Sequence, residues 1–225
     1  MEQNITRLPL IGDRAPQFNA QTTNGPVNFP EDFKGHWVVL FSHPADFTPV
    51  CTTEFITFAQ REPEFEALNT KLIGLSVDSL HSHIAWLRRV EDLTFRNYKN
   101  TKVKFPLIVD ISMQVSNLYG MIHPSTGNTT QAVRAVFIID PEGIIRTILY
   151  YPSSTGRNFD ELLRIIKALQ TSDELGVATP ADWVPGEPMI VPPAGTTKLA
   201  GERMAGVKEK VEMECQDWFF CFRKK

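Results

Sequence analysis

Cysteine is scarce in this chain of 225 residues: there are three, Cys51, Cys215 and Cys221. So few, and odd in number, they do not make the framework of a disulfide-stapled secreted domain. No two of them form a CxxC pair, and no second pair of ligands stands at a spacing suited to zinc, so no metal and no cofactor is expected. No apolar run approaches the ~20 residues that a bilayer-spanning helix needs, so no membrane partner is expected. The opening Met1–Arg7 carries no apolar signal core, which makes a reducing cytoplasm the expected compartment. Basic excess is missing as well: 23 Lys and Arg against 26 Asp and Glu leave a net charge of −3, which argues against nucleic acid as a partner. Internal repeats and low-complexity tracts are absent.

What is present is an ordinary globular composition, 42% hydrophobic, long enough for one α/β domain plus an extension. Turn signals at Gly12-Asp13, Ala15-Pro16 and Asn24-Gly25-Pro26 predict a hairpin or loop cap before Pro30. The runs His36–Phe41 and Lys71–Val77 predict buried strands, each followed by a helical pattern. The second helix is predicted to start at an Asp78-Ser79 cap and to run through Ile84, Trp86 and Leu87. This alternation predicts a mostly parallel sheet with helices on its faces. A short strand at 104–110 and a helix capped by Ser112 come next. Ala135–Ile139 and Ile144–Leu149, joined by Asp140-Pro141-Glu142-Gly143, predict a hairpin. A last helix carries Phe159, Leu162, Leu163, Ile166 and Leu169, with Asn158 as its cap. Composition shifts after Gln170: five prolines crowd Pro180–Pro193, and the chain ends in an aromatic cluster, Trp218–Phe222, that is poorly suited to water. Residues 1–170 therefore read as one domain and 171–225 as an arm that docks, either across a second subunit or back on its own domain.

Cys51 is the residue around which this pattern is organised. The strand ending at Phe41 meets Pro44 and Pro49 and must turn, and Pro49 is well placed in the first turn of the helix that follows. Cys51 then lies where free backbone N–H groups and the helix dipole favour an anion, so its thiolate is stabilised. Thr48 can donate to that sulfur or to an oxygen beside it, and Pro44 adds an apolar wall. The alternative is that Cys51 is a small buried hydrophobe, the commonest fate of a free cysteine.

The segment Phe41–Phe55 resembles the active-site signature of peroxiredoxins. Pro44, Thr48 and Cys51 match the motif Pro-x-x-x-Thr-x-x-Cys, and His43 with the run Thr48–Glu54 matches the branch that includes the one-cysteine enzymes. The resemblance, which extends over nearly the whole chain, implies a thioredoxin-like α/β fold with a C-terminal extension. It also implies thiol-dependent reduction of hydrogen peroxide or organic hydroperoxides through a sulfenic acid on Cys51. Arg134 matches the family's active-site arginine, and Arg157 a second arginine of this branch; a guanidinium suits the charge that builds as an O–O bond breaks. Glu54 either orients one of these arginines or is an ordinary first-turn acid. His43 either lines the substrate pocket or is a satisfied strand-end histidine.

Cys215 and Cys221 lie in a segment that resembles the C-terminal arm of archaeal-type members. There, a cysteine of the arm resolves the sulfenic acid on another subunit. By that resemblance Cys221 is the first choice as the resolving residue, with Cys215 as its exchange partner or substitute. Thioredoxin or a similar dithiol is implied as the final donor, and a homo-oligomer, a dimer or a decamer built of dimers, as the assembly. A ring-forming holdase chaperone is the competing class, against which stands the intact set of Pro44, Thr48, Cys51 and Arg134. A disulfide oxidoreductase is disfavoured because Thr48 and Glu54, not cysteines, stand three positions from Cys51. His81 and His83, two apart on a helix, point to different faces and are set aside as metal ligands.

Overall fold

The computed structural model describes residues 7–123, 130–206 and 212–224; the start at 1–6 and Lys225, both used in reading the sequence, lie outside them. Two compact units divide between Phe159 and Asp160. In the first, β1 (Phe18–Thr22) and β2 (Gly25–Phe29) form the early hairpin. There follow β3 (Trp37–Ser42), α1 (Pro49–Ala67), β4 (Thr70–Ser76), α2 (Leu80–Asp92), β5 (Leu107–Val109), α3 (Gln114–Leu118), β6 (Arg134–Ile139) and β7 (Ile145–Tyr151). The seven strands form one sheet in the order β2-β1-β5-β4-β3-β6-β7. Only β3 with β4 and β4 with β5 pair parallel. The sheet is thus mixed rather than mostly parallel, because the short turns joining β1 to β2 and β6 to β7 can only return the chain antiparallel.

β3 is flanked by β4 and β6 and covered on both faces, which is why all six of its residues are buried. Val38 and Leu40 join Phe18, Phe29, Tyr119 and Phe137 in one core cluster. On the opposite face Phe41 stacks on Phe58 of α1 at 4.1 Å. Ser79 caps α2 by accepting from the Ser82 N–H at 3.1 Å. The buried face of α2, however, is His83, Trp86 and Val90, while Ile84 is 39% exposed. Positions 83, 86 and 90 lie one helical repeat apart and Ile84 lies off that line. At α3 the capping is done by Asp110, whose carboxylate accepts from the Val115 and Ser116 N–H groups at 3.1 and 2.7 Å, instead of by Ser112.

The second unit contains most of α4 (Phe159–Leu175), then β8 (Met189–Val191), α5 (Thr197–Met204), β9 (Glu214–Asp217) and β10 (Phe220–Arg223). Ala168, Val177, Trp183 and Met189 make a small core of its own. Its three strands run in the order β8-β10-β9. Cys215 and Cys221 face each other across the β9–β10 hairpin and are joined by a disulfide, with S–S 2.04 Å. The hairpin turn carries Trp218 and Phe219, and β10 starts with Phe220; the three are 39%, 51% and 38% exposed. Among the described residues no helix is long and apolar enough to cross a membrane.

The topology gathers several segments at one end of the sheet. β3 and α1 meet there through residues 43–48. Because β6 runs antiparallel to β3 with Phe41 opposite Val136, continuing the register brings Arg134 level with His43. Arg134 pairs with Tyr151 on β7, after which the chain turns back through Arg157.

Candidate active site

Cys51 is the third residue of α1, fully buried and unbonded to any other cysteine. Thr48 occupies the position before the helix, with extended backbone, and Pro49 follows it. The Thr48 hydroxyl donates to the Ala45 carbonyl at 2.9 Å, which tightens the loop, rather than to the sulfur. The Thr48 carbonyl accepts from the N–H and hydroxyl of Thr52 at 3.0 and 2.8 Å. Pro44 is buried beside His43.

Two guanidinium groups and one carboxylate surround the sulfur's side of the helix. Arg134 Nη1 donates to Cys51 Sγ at 3.3 Å and to Glu54 Oε2 at 2.7 Å. Its Nε and Nη2 are fixed by the Ser153 carbonyl at 3.3 and 2.9 Å. Arg157 donates Nη1 to Glu54 Oε2 and its backbone N–H to Oε1, both at 2.8 Å. Its Nη2 donates to the Ser42 carbonyl and, at 3.1 Å, to that of Ala135. The Arg157 guanidinium also lies 5.4 Å from the Phe41 ring centre. Burial pulls Arg157 below the ordinary guanidinium value, and Glu54 opposes that shift. Glu54 is therefore the shared anchor of both arginines. Its side chain is 2% exposed, as is that of Arg134, and that of Arg157 is at 0%. Counting charges, two cations, the Glu54 carboxylate and a Cys51 thiolate sum to zero, whereas a neutral thiol would leave one buried positive charge uncompensated. The arrangement therefore favours the thiolate and holds a forked cation where an oxygen bonded to that sulfur would lie.

Behind this set is a second buried cluster. His43 packs on Phe55 at 4.8 Å and on Trp86 at 5.1 Å between ring centres. Its Nε2 meets Asp46 Oδ1 at 3.2 Å, while His83 Nδ1 meets Asp46 Oδ2 at 2.8 Å. Burial pushes Asp46 up, but hydrogen bonds from the two histidines and their charge outweigh it and leave the carboxyl lowered to about 2. Burial likewise pushes His43 down, against Asp46. His43, Asp46 and Asp78 bring donor atoms within 4.8 Å of one another. Both Asp46 oxygens are engaged by ring nitrogens, and Asp78 Oδ2 accepts from the Asp46 N–H and the Ser76 hydroxyl, so the group reads as a hydrogen-bonded knot.

Residues 11–148 match the AhpC/TSA family, and residues 168–206 match the C-terminal domain of 1-Cys peroxiredoxin. The chain belongs to the peroxiredoxin family. It is accordingly a thiol peroxidase with a thioredoxin-like fold and a C-terminal extension. A peroxiredoxin of Methanosarcina mazei is 58% identical over 218 residues, covering 96% of this chain and 98% of that protein. One from Thermotoga petrophila is 51% identical over 222 residues, covering 97% and 98%. Among solved structures, yeast mitochondrial 1-Cys peroxiredoxin superposes with a TM-score of 0.83 at 40% identity, over 97% of this chain and 100% of that one. A variant of peroxiredoxin 6 from Arenicola marina gives 0.80 at 33%, over 96% and 97%.

Of the residues singled out in the sequence, Cys51, Arg134, Arg157 and Glu54 share one hydrogen-bonded group, and Thr48, Pro44 and His43 form the loop leading into it. Cys215 and Cys221 are bonded to each other in the second unit. Asp46 and His83, which form the knot with His43, are not among the residues that the sequence singles out for the site. Asp46 stood inside the motif segment, and His83 was discarded together with His81, although only His81 is exposed.

Proposed function

We propose that this peroxidase reduces hydrogen peroxide and organic hydroperoxides at Cys51 and is resolved by its own C-terminal cysteines. The observation that carries the reading is the 3.3 Å contact from Arg134 to Cys51 Sγ, within a buried group whose charges balance only with a thiolate. The thiolate attacks one peroxide oxygen; an S–O bond forms, the O–O bond breaks, and the electron pair leaves on the departing oxygen, toward the Arg134 fork. Cys51 is oxidised to the sulfenic acid as the peroxide is reduced to water or an alcohol.

Cys221 of another subunit then displaces water from the sulfenic acid and forms a Cys51–Cys221 disulfide. Cys215 attacks that bond, giving a Cys215–Cys221 disulfide and returning the Cys51 thiolate. A free Cys51 together with bonded Cys215 and Cys221 is the state this exchange leaves behind, which supports the order of steps. A dithiol of the thioredoxin type closes the cycle. For yeast mitochondrial 1-Cys peroxiredoxin, thiol resolution is described through glutathione/thioredoxin systems. The exposed Trp218, Phe219 and Phe220 supply the apolar surface that an arm crossing to a partner needs, so a homodimer, or a decamer built of such dimers, in the cytoplasm is the working assembly.

The test is non-reducing electrophoresis with intact mass after one equivalent of hydrogen peroxide, on wild type and on Cys51→Ser, Cys215→Ser and Cys221→Ser. A covalent dimer that accumulates in Cys215→Ser and is lost in Cys51→Ser and Cys221→Ser is expected. A wild type that gains oxygen on Cys51 in every variant except Cys51→Ser, without ever cross-linking, would remove the arm cysteines from the cycle.

A further inference from the structure

The His43, Asp46 and His83 knot has a proton count that its partners dictate. His83 Nε2 lies 3.1 Å from the Ile108 carbonyl, which only accepts, and Nδ1 lies 2.8 Å from the Asp46 carboxylate, which when ionised only accepts. Both ring nitrogens thus face acceptors, at 0% exposure, which is the partner set that two N–H donors would satisfy. His43 presents Nε2 to the same carboxylate, so its proton sits on Nε2, and Nδ1 is left as a bare acceptor. That Nδ1 is buried and has no hydrogen-bond partner among the described residues. Leaving such a group empty is costly, so a partner that enters later is the economical explanation.

His43 is close to the chemistry. Its ring packs on Phe55, which follows Cys51 by one turn on the same face of α1. It also packs on Trp86, whose indole N–H donates to the Thr52 hydroxyl at 3.2 Å. Around Cys51, Arg134 and Arg157 offer only donors. A hydroperoxide brings one O–H donor that neither guanidinium can receive.

We propose that His83 is a positioning residue: as a buried cation it cancels the Asp46 charge, keeps His43 neutral, and so holds His43 Nδ1 open to accept the O–H of the hydroperoxide. This rests on the peroxidase reading. The charged or titratable groups that face His43 are Asp46 from its own loop, His83 from α2, and Asp78 ahead of α2. Without the His83 charge, burial alone is left to oppose Asp46 and Asp78, so that His43 takes up a proton more readily and the acceptor closes. In the reaction the proton leaves the attacked oxygen for Nδ1 and is handed to the departing oxygen. A thiolate and a hydroperoxide thus give a sulfenate and an alcohol, with nothing else consumed.

The experiment has two arms on the full chain. Nitrogen-15 NMR of wild type at about pH 7 should show both ring nitrogens of His83 protonated and His43 protonated on Nε2 alone. Stopped-flow oxidation of Cys51 by ethyl hydroperoxide is then read as the ratio of variant to wild-type rate, so that any titration of Cys51 itself cancels. For His83→Gln the ratio should fall as the pH is lowered, by up to about tenfold per pH unit, and return toward one at high pH. The charge-balanced double variant Asp46→Asn with His83→Gln should restore a ratio independent of pH. A singly protonated His83 in wild type overturns the proposal, and so does a loss in His83→Gln that is the same at every pH, which is what a purely structural role would give. Wild type that fails to oxidise at Cys51 would instead sink the peroxidase reading, while the NMR arm still decides the state of His83.

Discussion

Replacing Arg134 by methionine keeps much of the side-chain volume and removes the cation that touches the reacting sulfur. Unit charges 3.3 Å apart attract by about 5 kcal/mol at an effective dielectric of ~20, which is a ceiling for the Arg134–thiolate contact. Part of that attraction is already present before the peroxide is attacked and so does not accelerate the step. What is lost specifically in the transition state is the donor to the oxygen on which charge builds, and removing one such donor typically costs about 10²–10³-fold. Glu54 retains Arg157 at 2.8 Å through both the guanidinium and the backbone N–H, so the variant is expected to fold. The assay is stopped-flow oxidation of Cys51 by hydrogen peroxide at pH 7 and pH 9. The share of the loss that comes from a smaller thiolate population is recovered at high pH; the transition-state share persists. A fall of less than tenfold at both pH values would refute the role assigned to Arg134.

Glu54→Gln removes the one anion shared by two buried cations and is expected to destabilise by about 3–5 kcal/mol in urea unfolding, in contrast to Arg134→Met. Asp46, lowered from its ordinary 3.8 to about 2, contributes stability that is fully present above the unfolded value and disappears as pH falls through the folded one. That amounts to about 2 kcal/mol, visible as a drop in Tm between pH 5 and pH 2 that Asp46→Asn does not share. Gly74→Ala would put a Cβ 3.0 Å from Leu107 and 3.1 Å from Phe41 between packed strands, and a cost of about 1–3 kcal/mol is expected by denaturant titration.

Much of the fold could be read from the chain because its strands are short apolar runs with clear punctuation. β3 and β4 are buried on both faces and so are nearly continuous in apolar residues, and the Asp140–Gly143 turn announces the β6–β7 hairpin. Harder to read was the direction of pairing, since alternating strands and helices suggest parallel neighbours while four of the six ladders prove antiparallel. The sequence points to Ser112 as the α3 cap, whereas Asp110 reaches the helix from the end of β5, a contact set by the turn between them. At the site, Pro44, Thr48 and Cys51 carry a motif and Arg134 matches the arginine that the resemblance implies, so all four stand out before any geometry. The sequence leaves Glu54 open between two roles, and only tertiary structure reveals that it holds Arg134 and Arg157 at once. Asp46 and His83 stand 37 positions apart and become partners only when α2 packs against the loop after β3. No local pattern encodes that meeting.

The most direct test of Cys51 as the peroxide-reducing thiolate is trapping with dimedone, which labels sulfenic acids, during exposure to one equivalent of hydrogen peroxide, followed by peptide mapping of wild type and Cys51→Ser. Label confined to the peptide containing Cys51, together with complete loss of peroxide consumption in Cys51→Ser, is the expected result. Label on Cys215 or Cys221, or undiminished peroxide consumption without Cys51, would contradict it.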